Sequence, residues 1–122
     1  MRNLPDQLRR CHKTLMLLKN HVSSGPFLVK VDPIQLGIPD YYDVIKDPMD
    51  LTTGIIYCEL YKTVETKLLN KNYSNKLEFA SDIRKIWSNA LLYNKPESLV
   101  YRMAREMSEY FERLFKERDH NN

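Results

Sequence analysis

Apolar residues recur at steps of three and four positions in three separate parts of the chain. This spacing places them on one face of a helix, so it predicts three amphipathic helices. The first stripe holds Leu4, Leu8, Cys11, Leu15, Leu18 and Val22, the second Phe79, Ile83, Ile86, Trp87 and Ala90, and the third Val100, Met103, Ala104, Met107, Phe111, Leu114 and Phe115. Residues 50–70 predict a fourth helix, whose firmest apolar positions are Val64, Leu68 and Leu69.

Capping and breaking residues bound these segments. Pro5 suits the first turn of the first helix, and the run Ser23-Ser24-Gly25-Pro26 ends it. Asn75 is the predicted N-cap of the second stripe, with Glu78 in capping-box register, and Ser98 is the predicted N-cap of the third. Four amphipathic helices without an alternating strand pattern predict an all-α, antiparallel four-helix bundle with a long loop between helices 1 and 2.

The length and composition fit one folded domain. The chain has 122 residues, of which 43% are hydrophobic and 29% charged. The predicted domain covers residues 1–118, and residues 119–122 are predicted to be a frayed tail. The longest apolar run, residues 15–18, is far shorter than the roughly 20 residues that cross a bilayer, so we predict a soluble protein without a membrane partner.

The loop of residues 25–48 combines turn-forming and apolar residues. It contains four of the six prolines and two of the three glycines. Its large apolar residues are Phe27, Leu28, Val29, Val31, Ile34, Leu36, Ile38, Tyr41 and Tyr42. A long loop of this composition must pack on something, and such loops are more often functional than not.

The formal charge of +3 is mild, and basic and acidic residues are interspersed, so no direct nucleic-acid binding is expected. The loop is nevertheless locally acidic, with Asp32, Asp40, Asp43, Asp47 and Asp50 against Lys30 and Lys46. Two interpretations stay open. The aspartates either solvate the loop or attract a basic partner.

No enzymatic motif is present in the sequence. The three histidines and two cysteines lack metal-ligand spacing, and there is no phosphate-binding glycine loop or nucleophile elbow. We therefore predict no catalytic residue, no metal and no cofactor. Cys11 and Cys58 are interpreted as ordinary thiols of a reducing compartment.

Two chain breaks carry the candidate binding chemistry. Asn94 precedes Lys95-Pro96, where the second long helix must stop, and its amide offers both a donor and an acceptor to an amide ligand. The alternative is that Asn94 only caps the helix. Tyr41 and Tyr42 could wall a pocket, or could simply pack the loop.

Several motifs, in order along the chain, resemble those of the bromodomain family. They are Gly25-Pro26-Phe27, Val31, Leu36, Pro39-Asp40-Tyr41-Tyr42, residues 45–51 (Ile-Lys-Asp-Pro-Met-Asp-Leu) and residues 89–101 (Asn-Ala-Leu-Leu-Tyr-Asn-Lys-Pro-Glu-Ser-Leu-Val-Tyr). The resemblance implies a left-handed four-helix bundle. It also implies an acetyl-lysine pocket between the long first loop and the last interhelical loop.

The resemblance also assigns roles to individual residues. Asn94 would donate its side-chain amide to the acetyl carbonyl, and Tyr41 would reach the same oxygen through an ordered water. Tyr93 would stand beside Asn94, and Val100 would be the gatekeeper at the start of the last helix. The residues implied to line the pocket from the loop are Pro26, Phe27, Val31, Leu36 and Ile38.

Two features depart from the family pattern. Many members have a bulky aromatic residue before Pro-Phe that forms a hydrophobic shelf, whereas this chain has Gly25, so shelf contacts are not transferred. Residues near 53–62 resemble an insertion before the second helix. Its apolar residues, Ile55, Ile56, Tyr57, Leu60 and Tyr61, could extend the helix or bind a partner, and we interpret the segment as an irregular extension without function.

The predicted function is a nuclear binding module for acetylated lysine in histone tails, with other acetylated proteins as further partners. We expect it to be a monomer, to catalyse nothing, and to be part of a larger protein. Asp40, Asp43 and Asp47 are predicted to rim the pocket and attract basic flanks. The competing hypothesis is a helical scaffold or docking module that does not bind acetyl-lysine, while an acetyltransferase or deacetylase would require a cofactor loop or metal site.

Overall fold

The computed structural model of the protein describes residues 6–52 and 63–120. Its helices are α1 (Asp6–Lys19), α2 (Tyr41–Val44), α3 (Val64–Leu69), α4 (Lys76–Tyr93) and α5 (Leu99–His120), with a 3-10 turn at Gly25–Phe27. These residues contain no β-strand. The short connection of residues 94–98 makes α4 and α5 neighbours, and α1 and α3 complete the bundle against them.

The three predicted apolar stripes meet in one core. Leu15, Phe79 and Phe111, one from each long helix, are fully buried. Burial of such side chains provides most of the favourable free energy of folding. The prediction for Val22 is wrong, because α1 ends at Lys19 and the Val22 side chain is 92% exposed beyond it. Leu4 lies outside the described residues.

The predicted helix starts at Asn75 and Ser98 are confirmed, with one change of hydrogen-bond partner. The Asn75 side chain accepts hydrogen bonds from the second and third N–H groups of α4 at 2.9 and 3.1 Å. Glu78 does not complete the capping box on Asn75, since its carboxylate accepts from the Ser74 N–H at 2.7 Å. The Ser98 hydroxyl accepts from the Tyr101 N–H at the start of α5.

Helix α3 is short and has a defined cap at each end. Thr63 and Thr66 form a reciprocal capping box at its start. At its end Lys71 adopts a left-handed conformation with φ 58°, and Asn72 N–H bonds back to the last turn at 2.8 Å. Glycine is the residue that normally occupies such a position, because a side chain is strained there.

Two predicted segments lie partly or wholly outside the described residues. The predicted frayed tail, residues 119–122, starts within the last turn of α5, which runs to His120, and no proline or glycine stops the helix at Arg118. The predicted insertion at residues 53–62 lies outside the described residues, as do residues 121–122.

A buried cluster of Asp82, Tyr73 and Lys67 joins α3 and the following turn to α4. The Asp82 carboxylate is only 5% exposed, and one of its oxygens accepts from Lys67 Nζ and from the Tyr73 hydroxyl, both at 2.6 Å. Burial alone would raise the pKa of Asp82, but these two hydrogen bonds and the lysine charges hold it below its usual value. The cluster therefore keeps a buried charge compensated.

Candidate functional site

The long loop leaves α1 through the 3-10 turn and returns to the bundle beside it. Leu51 N–H donates to the Phe27 carbonyl at 3.0 Å, and Thr52 N–H donates to the Leu28 carbonyl at 2.9 Å. These bonds tie the two ends of the loop together at its base. The residues between them form one loop, which contacts the C-terminal half of α4.

The outer part of the loop is a compact turn. The Asp32 side chain accepts from the N–H groups of Ile34 and Gln35, each at 3.2 Å. Gly37 has a φ of 72°, which a residue with a side chain rarely adopts. Ile38 N–H then closes the turn on the Pro33 carbonyl at 2.8 Å. Asparagine, aspartate, proline and glycine are the residues that specify such turns.

The loop places Tyr41 at the end of α4. Tyr41 starts the single-turn helix α2 and is 8% exposed. Its ring contacts the rings of Tyr42 and Tyr93, with centroids 5.4 and 5.0 Å apart. Burial, with smaller contributions from Tyr42, Asp50 and Tyr93, raises the pKa of Tyr41 to about 12. The phenol therefore remains protonated at neutral pH and can donate a hydrogen bond.

Asn94 caps the C-terminal end of α4. Its backbone N–H and its side-chain Nδ2 both donate to the Ala90 carbonyl at 3.0 Å. Its backbone is extended, with φ −91° and ψ 150°, so the chain leaves the helix axis at this residue. A primary amide has two N–H donors and a carbonyl acceptor. The cap uses one of the two donors and fixes the orientation of the amide.

Tyr93 connects the end of α4 to the loop. Its hydroxyl donates to Asp40 Oδ1 at 2.6 Å, across a sequence separation of 53 residues. This hydrogen bond, with a smaller contribution from burial, raises the pKa of Tyr93. Asp40 precedes Tyr41 and Tyr93 precedes Asn94, so the contact brings the two sequence motifs of the predicted site together.

A second connection lies one to two turns before Tyr93 in α4. Lys85 Nζ is 2.7 Å from the Asp47 carboxylate, and Asn89 Nδ2 donates to the Asp47 backbone carbonyl at 2.9 Å. Lys85, Asn89 and Tyr93 are spaced four residues apart, which places them on one face of the helix. The sequence did not predict the contacts of Lys85 and Asn89, although the i, i+4, i+8 spacing of polar residues is a signal for them.

The other predicted pocket residues occupy different environments. Phe27 is 5% exposed and lies edge-on to Trp87, within the core. Val100 is half-buried and packs against the same core. Pro26, Val31 and Ile38 are half-buried. Leu36 is 62% exposed.

The three aspartates predicted to rim the site differ in their contacts. Asp40 accepts the Tyr93 hydrogen bond, and Asp47 pairs with Lys85. The Asp43 side chain is exposed and has no ion pair with the described residues. Two of the three therefore hold the loop on α4.

Residues 6–52 and 63–120 lack a metal-binding cluster and a membrane-spanning helix. Over these ranges no group of three or more histidine, cysteine, aspartate or glutamate side chains is placed to hold a metal ion. None of the helices in the same ranges is long and apolar enough to cross a membrane.

Comparison with known proteins identifies the family. The family model described as Bromodomain matches residues 11–106. Transcription factor GTE10 of Arabidopsis thaliana is 39% identical over 109 residues, covering 89% of this chain and 9% of that protein. The SWR1 complex bromodomain subunit bdf1 of Schizosaccharomyces pombe is 40% identical over 113 residues, covering 93% of this chain and 18% of that protein.

Among solved structures, the second bromodomain of Candida albicans Bdf1, bound to an imidazopyridine, has a TM-score of 0.78 and 30% identity, covering 91% of this chain and 99% of that one. The chain belongs to the bromodomain family, whose members are generally readers of acetylated lysine and not enzymes. The predicted all-α four-helix fold is confirmed. The chain spans less than a fifth of the length of the two curated relatives, at 9% and 18%.

Proposed function

We propose that this bromodomain binds acetylated lysine in histone tails through a pocket anchored by Asn94. The observation that carries the proposal is the fixed amide of Asn94. The cap on Ala90 orients it, and the adjacent Tyr93 ring contacts the ring of Tyr41 at 5.0 Å. Tyr41 thus contacts the residue next to Asn94, which supports an amide donor and a phenol donor acting on the same ligand.

Each of these groups has a chemical role toward an acetyl amide. The second Nδ2 proton of Asn94 donates to the acetyl carbonyl. The Tyr41 hydroxyl, protonated because its pKa is about 12, donates to a water that bridges to the same oxygen. Val31, Ile38 and Val100 supply apolar contacts for the acetyl methyl group and the lysine stem.

The preference for acetylated lysine follows from the cost of burying charge. Acetylation converts a strongly hydrated ammonium into a neutral amide. An ammonium buried without a partner costs several kcal/mol, whereas the hydrogen bond to Asn94 contributes about 1 kcal/mol net. Rejection of unmodified lysine therefore dominates the discrimination.

The names of the relatives support a chromatin setting. One is a transcription factor and another a subunit of the SWR1 complex. A nuclear location and acetylated histone tails as partners are the proposals that fit these names. Basic tails also suit the exposed Asp43 near the site.

The test is a calorimetric titration of wild type and Asn94→Ala with acetylated and unacetylated histone-tail peptides. We expect the wild type to bind acetylated peptide with a dissociation constant of about 10 μM to 1 mM, because one hydrogen bond and a small apolar contact leave little free energy after the entropy of association. Asn94→Ala should show no saturable binding, while its circular dichroism spectrum stays that of the wild type.

Asn70→Ala is the control, since it removes a side-chain amide from the C-cap residue of α3, where only the backbone N–H bonds to the helix. It should bind as the wild type does. Undiminished affinity in Asn94→Ala would refute the anchored pocket. A wild type that binds no acetylated peptide at all would favour the alternative of a helical docking module.

A further inference from the structure

The hydrogen bond between Tyr93 and Asp40 is not one of the proposed ligand contacts. Its two residues are the sequence neighbours of the two proposed donors, Asn94 and Tyr41. We propose that Tyr93 and Asp40 form a latch that positions Tyr41 relative to Asn94, so that both are positioning residues for ligand binding. This inference rests on the proposed function. It gives Asp40 a role in positioning the loop, whereas the sequence suggested that Asp40 attracts basic peptides.

The location of the latch is the first argument. Asp40 is the residue before Tyr41, and Tyr93 is the residue before Asn94. The bond of 2.6 Å between their side chains therefore fixes the backbone next to each proposed donor. The ring contact between Tyr41 and Tyr93, at 5.0 Å, lies beside the bond and depends on the same approach of the loop to α4.

The pattern of loop attachment is the second argument. Asp47 is held on α4 by Lys85 and Asn89, at 2.7 and 2.9 Å, so the segment that follows α2 is anchored independently of the latch. The turn that precedes Asp40 is bonded within itself, and its Ile34 and Leu36 side chains are 79% and 62% exposed. The latch therefore anchors the N-terminal end of α2, which follows this exposed turn.

The exposure of the latch is the third argument. Asp40 is exposed and Tyr93 is half-buried, so water can satisfy both groups when the bond breaks. Loss of the bond therefore costs little folding free energy. Its main effect is that the loop occupies a wider range of positions. A ligand that contacts both Tyr41 and Asn94 must restrict this range on binding, which lowers its affinity.

The experiment compares Tyr93→Phe, Asp40→Leu and Asp40→Asn with the wild type. Tyr93→Phe and Asp40→Leu remove one half of the bond each, whereas Asp40→Asn keeps an acceptor oxygen. Tyr110→Phe is the control, because it removes a tyrosine hydroxyl from α5, where the ring contacts His21 and not the latch residues. Affinity for an acetylated histone-tail peptide is measured by calorimetry at two salt concentrations, and stability by urea denaturation.

We expect Tyr93→Phe and Asp40→Leu to weaken binding by about threefold to tenfold, the loss typical of one net hydrogen bond, equally at low and high salt. The double variant Tyr93→Phe/Asp40→Leu should be no weaker than either single variant. Asp40→Asn should bind within about twofold of the wild type, because the acceptor is retained. The control should match the wild type in affinity.

A second readout tests the latch without a ligand. The N–H groups of Tyr41 and Ile45 are hydrogen-bonded within the loop, at 3.0 and 2.8 Å. Their hydrogen exchange in the free protein should be faster in Tyr93→Phe and unchanged in Tyr110→Phe. Exchange and affinity that both match the wild type would overturn the latch, as would additive losses in the double variant. A wild type that binds no acetylated peptide refutes the proposed function, and the exchange readout then decides the latch by itself.

Discussion

Two regions of the protein each contain a hydrogen bond from a tyrosine hydroxyl to an aspartate carboxylate, but their surroundings differ. In the buried cluster, the Tyr73 hydroxyl donates to Asp82 at 2.6 Å, and the two residues are 3% and 5% exposed. In the latch, the Tyr93 hydroxyl donates to Asp40, also at 2.6 Å, and Asp40 is exposed. Water cannot replace a lost partner in the first region, but it can in the second. The buried bond should therefore determine the stability of the fold. The exposed bond should determine the position of the loop.

The largest effect on stability is expected for Asp82→Ala. This change removes the common acceptor of Lys67 and Tyr73, and it leaves the Tyr73 hydroxyl buried without its partner. We expect the free energy of unfolding to fall by about 3 kcal/mol in urea denaturation at pH 7. Ser81→Ala, on the exposed face of the same helix, should change it by less than about 0.5 kcal/mol.

The same variant gives a pH test with a definite sign. The pKa of Asp82 in the folded protein lies below the ordinary value of 3.8. Its contribution is therefore fully present above that pH and is lost as the pH falls through the folded pKa. The stability difference between wild type and Asp82→Ala should shrink below pH 3.8. A difference independent of pH would mean that the carboxylate charge is not what matters.

A smaller effect should separate the two tyrosines directly. Tyr73→Phe should lower the free energy of unfolding by about 1 to 2 kcal/mol, because Asp82 loses one of its compensating donors. Tyr93→Phe should lower it by less than about 0.5 kcal/mol, because water replaces the donor. Thermal and urea denaturation measure both. Equal losses would remove the distinction between the two regions.

A stabilising change is expected near the buried cluster. Lys71 has a φ of 58°, which strains a residue with a side chain. Lys71→Gly should raise the free energy of unfolding by about 0.5 to 1 kcal/mol. Lys71→Ala, which keeps the strain, should not. If both variants are destabilised, the Lys71 side chain makes a contact whose stabilisation exceeds the cost of the backbone strain.

The smallest effect concerns Asp43, the loop aspartate without an ion pair among the described residues. Asp43→Lys should weaken binding of a basic acetylated peptide by about twofold at low salt, and by less at high salt, because exposed charges act through a screened field. A neutral acetyl-lysine mimic should bind both proteins equally. A loss for the neutral mimic would give Asp43 a structural role in the loop.

Local patterns predicted most of the fold. The spacing of residues such as Leu15, Ile83 and Phe111 set which helix faces are buried, and Asn75 and Ser98 marked helix starts, because these features depend on neighbours within four residues. The failure at Val22 has a physical cause. The apolar spacing continued past the point where the helix ends, at Lys19, and so placed an exposed residue in the core.

The polar connections could not be predicted in the same way. The chain has many aspartates and lysines, and nothing local singles out Asp82 as the buried one or pairs Asp40 with a tyrosine 53 residues away. These pairs follow from how the loop and helices meet. The motifs around Asn94 and Tyr41 could therefore be predicted from the sequence. The contacts between these motifs could not.

The central claim is that Asn94 donates its side-chain amide to an acetyl carbonyl. The most direct measurement is nuclear magnetic resonance of that amide during titration with an acetylated histone-tail peptide, with the signal assigned by its absence from Asn94→Ala. We expect the Asn94 Nδ2 protons and the Tyr41 backbone amide to shift with acetylated peptide and to stay in place with the unacetylated one. Saturable binding that shifts other residues and leaves the Asn94 amide unmoved would contradict the account.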